Sequence, residues 1–318
     1  MPKINRVLFM GSKQMGLQVL REMYLLSPET LIGVLTIDDT NDTRTVFNDF
    51  QSFSNTNELE LYVANNRKQA DQIIRELNPD LCLVAGWYWM ISKKTLGDVP
   101  HRFIGIHNSL LPKYRGGAPI TWAILNNEKE VGISFFSFTP GMDEGPIWAQ
   151  GSVLVEKYDY ISDVLRKLVD RTIEVLQGTY LQILNGSICP VEQNHDLAAY
   201  CAMRFPNNGN INWHMPAQYV YNFIRAQSEP YAGAFTYFEG QILKIWQASI
   251  FDKTYYGTPG QVARITTDSV YIICGDHQAV ILEDVELGGQ RGKANIFIKS
   301  IKGRMSNIIE ASLADVDV

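Results

Sequence analysis

The sequence predicts an α/β protein, a doubly wound, mostly parallel sheet followed by a small C-terminal β-barrel. Three observations carry that reading. Through the N-terminal part, short apolar runs alternate with amphipathic helical segments, the pattern of a parallel sheet covered by helices. A polar stretch containing Pro206, Asn207, Asn208 and Gly209 then breaks the rhythm. Beyond it, short β-rich runs separated by glycines crowd together, as they do in a small barrel. A chain of 318 residues can build two cores. The divisions expected are 1–192 for the α/β domain, 193–210 for a linker and 211–318 for the barrel.

The elements follow in order. Residues 6–10 read as a strand leading into Gly11-Ser12-Lys13-Gln14-Met15-Gly16. That turn lacks the third glycine of a dinucleotide-binding loop, and Asp38 and Asp39 match the expected acidic position only loosely, so its glycines are read as allowing close packing. Further strands are expected at 31–37, 61–64, 81–85, 103–106 and 132–138. The clearest helix is 68–77, where Ala70, Ile73, Ile74 and Leu77 share one face and Asn78-Pro79 stops the run. A second helix is expected over 162–176, capped by Ser162 and ended near Gly178. In the last part, a helix at 217–226 precedes strands at 234–238, 243–247, 260–265, 270–274 and 279–285.

Composition narrows the partners. The 34 acidic side chains outnumber the 28 basic ones and leave a net charge of -6, so no global cationic field draws in a phosphate backbone, and nucleic acid is not expected as a partner. No apolar run reaches the length of a membrane span and no leader precedes the first strand, which predicts a cytosolic protein without membrane contact. Cys82, Cys189, Cys201 and Cys274 are scattered, with no zinc-site spacing. They are read as reduced thiols, and no metal site is expected.

The chemistry is concentrated in two stretches. The run Ile106-His107-Asn108-Ser109-Leu110-Leu111-Pro112-Lys113-Tyr114-Arg115-Gly116-Gly117-Ala118-Pro119 delivers His107 from a strand end into a Gly- and Pro-rich loop. Lys113 and Arg115 are available there for an anionic substrate group. About thirty residues on, Gly141-Met142-Asp143-Glu144-Gly145-Pro146 carries a carboxylate. An imidazole and a carboxylate together can move protons while an amine attacks a carbonyl. Upstream, Gly86-Trp87-Tyr88-Trp89-Met90 follows a buried strand at its carboxyl edge, where open α/β sheets bind ligands and a flat heterocycle can dock.

These residues resemble the core of the folate-dependent formyltransferases, whose members share Asn-x-His-x-Ser-Leu-Leu-Pro and a later Asp-x-Gly. The later part, from Gly209-Asn210-Ile211-Asn212-Trp213 through Ile224-Arg225-Ala226 and Pro230-Tyr231-Ala232-Gly233-Ala234-Phe235 to Leu243-Lys244-Ile245-Trp246, resembles the C-terminal barrel of members acting on methionyl-tRNA or on nucleotide-linked amino sugars. The resemblance implies a Rossmann-like catalytic domain, an OB-like barrel and 10-formyltetrahydrofolate as formyl donor. It implies His107 and Asp143 as catalytic, with Gly86, Trp87, Tyr88, Trp89, Met90, Met142 and Gly145 toward the folate and Ser109, Lys113, Arg115 and Gly117 toward the acceptor. Gly105 stands where the family has its catalytic asparagine, two residues before the histidine and on the same side of the strand. Asn108 is adjacent to His107 and points the other way unless the chain has already turned. An impaired enzyme or a non-catalytic folate or nucleotide-sugar binder therefore stays open beside an active one.

The charge balance favours a nucleotide sugar over tRNA as acceptor, with Lys113, Arg115 and Arg225 as candidates for its diphosphate. This implies a dTDP- or UDP-linked amino sugar destined for surface polysaccharide, and leaves room for a homodimer.

Overall fold

The computed structural model describes residues 3–97 and 102–307. They fall into two compact units. The first is drawn from Met1–Pro119, Glu130–Leu154 and Leu165–Ala202, the second from Ile120–Lys129, Val155–Val164 and Met203–Val318.

In the first unit, β1 (Val7–Gly11), β2 (Leu31–Ile37), β3 (Leu61–Ala64), β4 (Leu81–Ala85) and β5 (Phe103–His107) pair in parallel. After the two-residue β6 (Arg115–Gly116), β7 (Glu130–Ser137) and β8 (Ile147–Leu154) add antiparallel to the β5 edge. The order is β3-β2-β1-β4-β5-β7-β8, so the winding reverses between β1 and β4. Every residue of those two strands is buried, as central parallel strands covered on both faces must be. The helices α1 (Lys13–Leu26), α2 (Phe47–Thr56), α3 (Arg67–Leu77) and α4 (Lys93–Leu96) connect the parallel strands, and α5 (Pro119–Leu125) follows β6 in the chain.

Gly11 and Gly16 explain the first turn. A Cβ on Gly11 would lie 2.2 Å from the Ala85 carbonyl oxygen, and one on Gly16 would lie 2.8 Å from it. Their glycines let β1 and α1 pack against β4, as the packing reading expects. The helix expected at 68–77 is α3, capped by the Asn66 side chain accepting from the Gln69 N–H and closed by Asn78 in the left-handed region at φ 42°.

Two expectations need correction. The helix expected to end near Gly178 is α6 (Ile161–Leu184). Gly178 lies inside this helix and does not end it; its cost of about 1 kcal/mol is outweighed by burial of Tyr180 and Ile183 just beyond it. Nor is the start of 193–210 a free linker. Gln193 is buried, and β9 (Tyr200–Cys201) pairs in parallel with β6.

Where a small barrel is expected, the second unit carries an antiparallel sheet following α7 (Ala217–Arg225). Its strands are β10 (Ala234–Phe238), β11 (Gln241–Phe251), β12 (Val262–Ile265), β13 (Val270–Ile273), β14 (Ala279–Leu287) and β15 (Gln290–Lys293), with a short α8 (Ala294–Phe297) after them. The order is β10-β11-β14-β13-β12, and β15 pairs with β14. Segment 303–306 bonds to both edge regions: Tyr237 N–H donates to the Ser306 carbonyl at 2.9 Å and Val262 N–H to the Gly303 carbonyl at 3.2 Å. It thereby covers edges that would otherwise present unpaired backbone.

The four cysteines are free thiols. Burial pushes Cys201 up to about 11 and Cys274 up to about 12, which keeps both protonated at neutral pH. Among the described residues no cluster of His, Cys, Asp and Glu is arranged for a metal, and no helix is long and apolar enough to cross a membrane.

Candidate active site

His107 closes β5, where the buried run Phe103, Ile104 and Gly105 gives way to half-buried residues. Alternation along the strand puts Phe103, Gly105 and His107 on one face. After His107 the chain turns through Ser109, whose hydroxyl donates to the Lys113 carbonyl at 2.7 Å, and through a cis Leu111-Pro112 peptide. The turn carries the Tyr114 carbonyl back to His107 Nε2 at 2.8 Å.

A carbonyl only accepts, so Nε2 carries the hydrogen in this bond and Nδ1 is the nitrogen left to exchange a proton. Nδ1 faces Asp143 Oδ2 at 3.6 Å.

Asp143 does not reach the imidazole from the end of its strand. β7 runs antiparallel to β5, with Ile104 opposite Ser137 and His107 opposite Ser134. The β7–β8 connection brings the carboxylate back, with Asp143 in the left-handed region at φ 50°. Three contacts hold it there. Gly116 N–H donates to Asp143 Oδ2 at 2.8 Å, and Gln193 Nε2 donates to the carbonyls of Asp143 and Gly145 at 2.8 and 2.7 Å. Gly116 itself sits at φ +97°, and a Cβ there would lie 2.5 Å from the Cys201 carbonyl oxygen, so glycine is required for this approach.

The expected anion-binding residues separate. Lys113 is exposed. Arg115 is 1% exposed and spends its donors inside the fold, giving Nε and Nη2 to Gln193 Oε1 at 3.1 and 2.6 Å, Nη1 to the Tyr200 hydroxyl at 3.3 Å and Nη2 to His195 Nδ1 at 3.2 Å. It is a buried anchor of the Asp143 loop, not a free phosphate ligand. Ser109 is buried in its turn, and the Gly117 N–H donates to the Cys201 carbonyl at 3.0 Å. In the second unit Arg225 is likewise buried, donating to the carbonyls of Glu156 and Asp159 and to Asn222 Oδ1.

The segment after β4 also divides. Tyr88 and Met90 are 48% and 74% exposed, as is Met142 at 58%. Trp87 and Trp89 pack edge to face, centroids 5.5 Å apart, against the hydrophobic cluster beneath the sheet. Trp87 Nε1 is nonetheless buried without a hydrogen-bond partner. Gly86 has φ +70°, and a Cβ there would lie 2.6 Å from the Ser12 carbonyl oxygen. Beside it, Lys13 pairs with Asp39 at 2.6 Å and Asp42 at 2.8 Å, which leaves the first turn no free ammonium for a phosphate. Burial alone would lower the Lys13 pKa; the two carboxylates outweigh it and hold the pKa above the usual lysine value.

Sequence reasoning missed Gln193, the Gly116 N–H, the Tyr114 carbonyl and Phe138. Two of these are backbone groups and carry no side-chain signal. Gln193 lies in a polar stretch with nothing to mark it. Asn108, the candidate to stand in for the missing side chain at 105, has its Oδ1 buried without a hydrogen-bond partner.

An imidazole and a carboxylate 3.6 Å apart lie on the antiparallel margin of a doubly wound sheet, followed in the chain by an antiparallel β unit. The chain belongs to the formyl transferase family. The formyl transferase model matches residues 5–179 and the formyl transferase C-terminal domain model residues 205–302. Methionyl-tRNA formyltransferase of Acetivibrio thermocellus is 32% identical over 284 residues, which cover 87% of this chain and 91% of that one. Among solved structures, WlaRD, a sugar 3N-formyl transferase crystallised with dTDP and 5-N-formyl-THF, superposes with TM-score 0.66 at 17% identity, covering 91% of this chain and all of that one. The N-formyltransferase of Helicobacter canadensis, in complex with folinic acid and dTDP-3-aminofucose, gives TM-score 0.64 at 17% identity over 87% of this chain and 98% of that one.

Proposed function

We propose that this protein transfers a formyl group from 10-formyltetrahydrofolate to the amine of a dTDP- or UDP-linked amino sugar, a step toward surface polysaccharide. The observation that carries the transfer chemistry is the His107 Nδ1 to Asp143 Oδ2 approach, with both partners independently tethered. The donor supplies an activated formyl carbon. Asp143 and His107 take the proton that the amine loses as its bond to the formyl carbon forms, the imidazolium so formed favours charge gathering on the formyl oxygen, and the proton is returned to N10 as the C–N10 bond breaks and tetrahydrofolate leaves. The segment from Gly86 to Met90 fits a flat heterocycle because Tyr88 and Met90 are exposed at the carboxyl edge of β4, where open α/β sheets bind ligands.

The acceptor assignment rests on charge. In the second unit Lys244 pairs with Glu286, Arg291 with Glu229 and Asp284, and Lys293 with Asp268, while Arg225 is buried. Lys253, Arg264, Lys299, Lys302 and Arg304 are exposed, but the chain as a whole carries 34 acidic against 28 basic side chains, and a net negative field supports tRNA binding weakly. A diphosphate asks for fewer contacts, and the exposed Lys113 supplies one. A second reading, methionyl-tRNA as acceptor, draws on the 32% identity to the Acetivibrio enzyme over most of both chains.

The test is incubation with 10-formyltetrahydrofolate and dTDP- or UDP-amino sugars, with mass spectrometry of the product. A single added formyl group, lost with His107→Ala, supports the proposal; formylation of methionyl-tRNA alone overturns the acceptor.

A further inference from the structure

Gly105 leaves no vacancy beside His107. An ideal Cβ built on it would lie 2.0 Å from Phe138 Cε1, 2.7 Å from Cζ and 3.1 Å from Cδ1, far inside the contact distance of two carbons. The phenyl ring is held there on several sides. It stacks nearly parallel to Phe103, centroids 6.4 Å apart and planes 6° apart, and tilts against Phe136 at 5.4 Å. Its own backbone N–H donates to the Phe103 carbonyl at 2.9 Å, and the ring packs on the hydrophobic cluster under β4 and β5. Phe136, opposite Gly105 in the β5–β7 register, meets the His107 ring edge to face at 6.2 Å. The face of β5 leading to the imidazole is therefore walled by three aromatic rings, and position 105 has lost its side chain to one of them.

We propose that Gly105 and Phe138 are a coupled pair. The ring of Phe138 takes the room of a residue-105 side chain, and the pair sets an apolar wall beside His107 where a hydrogen-bonding side chain would otherwise stand. The rate of formyl transfer is then limited by the pair and not by residue 105 alone. This rests on the formyl-transfer reading for its chemistry, and on geometry alone for the coupling.

The experiment is a double-mutant cycle on the full chain with Gly105→Asn, Phe138→Ala and the two combined, read by thermal melting and by formyl transfer to the amino-sugar acceptor. Gly105→Asn alone is expected to lower Tm by on the order of 5–10 °C, since the ring must leave its packing, and to cut turnover at least tenfold. Phe138→Ala alone lowers Tm by opening a cavity. The combined variant melts well above the sum of the two losses and turns over at least tenfold faster than the wild type, because a donor now fits beside the imidazole. A Gly105→Asn protein that melts like the wild type, or additive Tm losses in the double variant, overturns the coupling. Recovered Tm without a gain in turnover over the wild type overturns the chemical half. If coupled melting appears but neither wild type nor variants formylate any amine, the coupled pair stands and the proposed function fails.

Discussion

At the residue scale, the site is defined by which nitrogen of His107 is free. The Tyr114 carbonyl holds Nε2, so proton exchange falls to Nδ1 and its neighbour Asp143 Oδ2. Removing the imidazole as His107→Ala is expected to lower kcat by about 10²–10⁴ with little change in melting temperature, measured by steady-state formyl transfer and calorimetry. Asp143→Asn keeps the size of the side chain and can still accept from the Gly116 N–H, but gives up the charge. It should lower kcat by about 10²-fold or more while leaving the KM for the folate nearly unchanged. Equal loss in KM would mean that the carboxylate serves binding.

At the scale of elements, the sheet was legible and its attachments were not. The buried runs at β2 and β4 fall where apolar stretches bounded by turns predict them, because burial on both faces leaves a continuous apolar signature. Edge strand β8 gave no such run, since only Trp148 and Gly151 of its eight residues are buried. The pair His107 and Asp143 was legible as motifs. The loop anchor was not, because the Arg115–Gln193 contact joins residues 78 apart and a glutamine in a polar stretch looks like a linker. Gln193→Ala would leave the buried Arg115 guanidinium and the carbonyls of Asp143 and Gly145 short of partners, a cost of roughly 2–4 kcal/mol. The expected outcome is a lower Tm together with at least a tenfold fall in kcat, which a mutation confined to packing would not combine.

The loops after β1, β2 and β4 are joined by another polar group, Lys13 with Asp39, Asp42 and Tyr88. Hydrogen bonding from Arg44, then from Lys13, holds the Asp42 carboxyl well below the usual carboxylate range. A carboxyl depressed in the folded state binds its proton more readily when unfolded. Its stabilisation is therefore present above the unfolded value of about 3.9 and fades as pH falls below it. Melting curves of wild type and Asp42→Asn should differ by a constant amount from about pH 5 to 7 and converge toward pH 3. A gap that widens on acidification contradicts the sign.

At the scale of the whole molecule, 34 acidic side chains against 28 basic ones make an acidic chain, and in its β unit Lys244, Arg291 and Lys293 meet carboxylates and Arg225 is buried, while Lys253, Arg264, Lys299, Lys302 and Arg304 are exposed. Sequence similarity and charge pull in different directions here: the Acetivibrio methionyl-tRNA formyltransferase is 32% identical, yet the net charge of this chain is -6. Net charge should decide, because an overall negative field opposes the approach of a long phosphate backbone more than that of a single diphosphate. The most direct measurement compares kcat/KM for a dTDP- or UDP-linked amino sugar and for methionyl-tRNA, with 10-formyltetrahydrofolate as donor, at low and physiological salt. The account predicts at least a hundredfold preference for the amino sugar that persists at both salt concentrations. Preference for methionyl-tRNA at either salt concentration would contradict it.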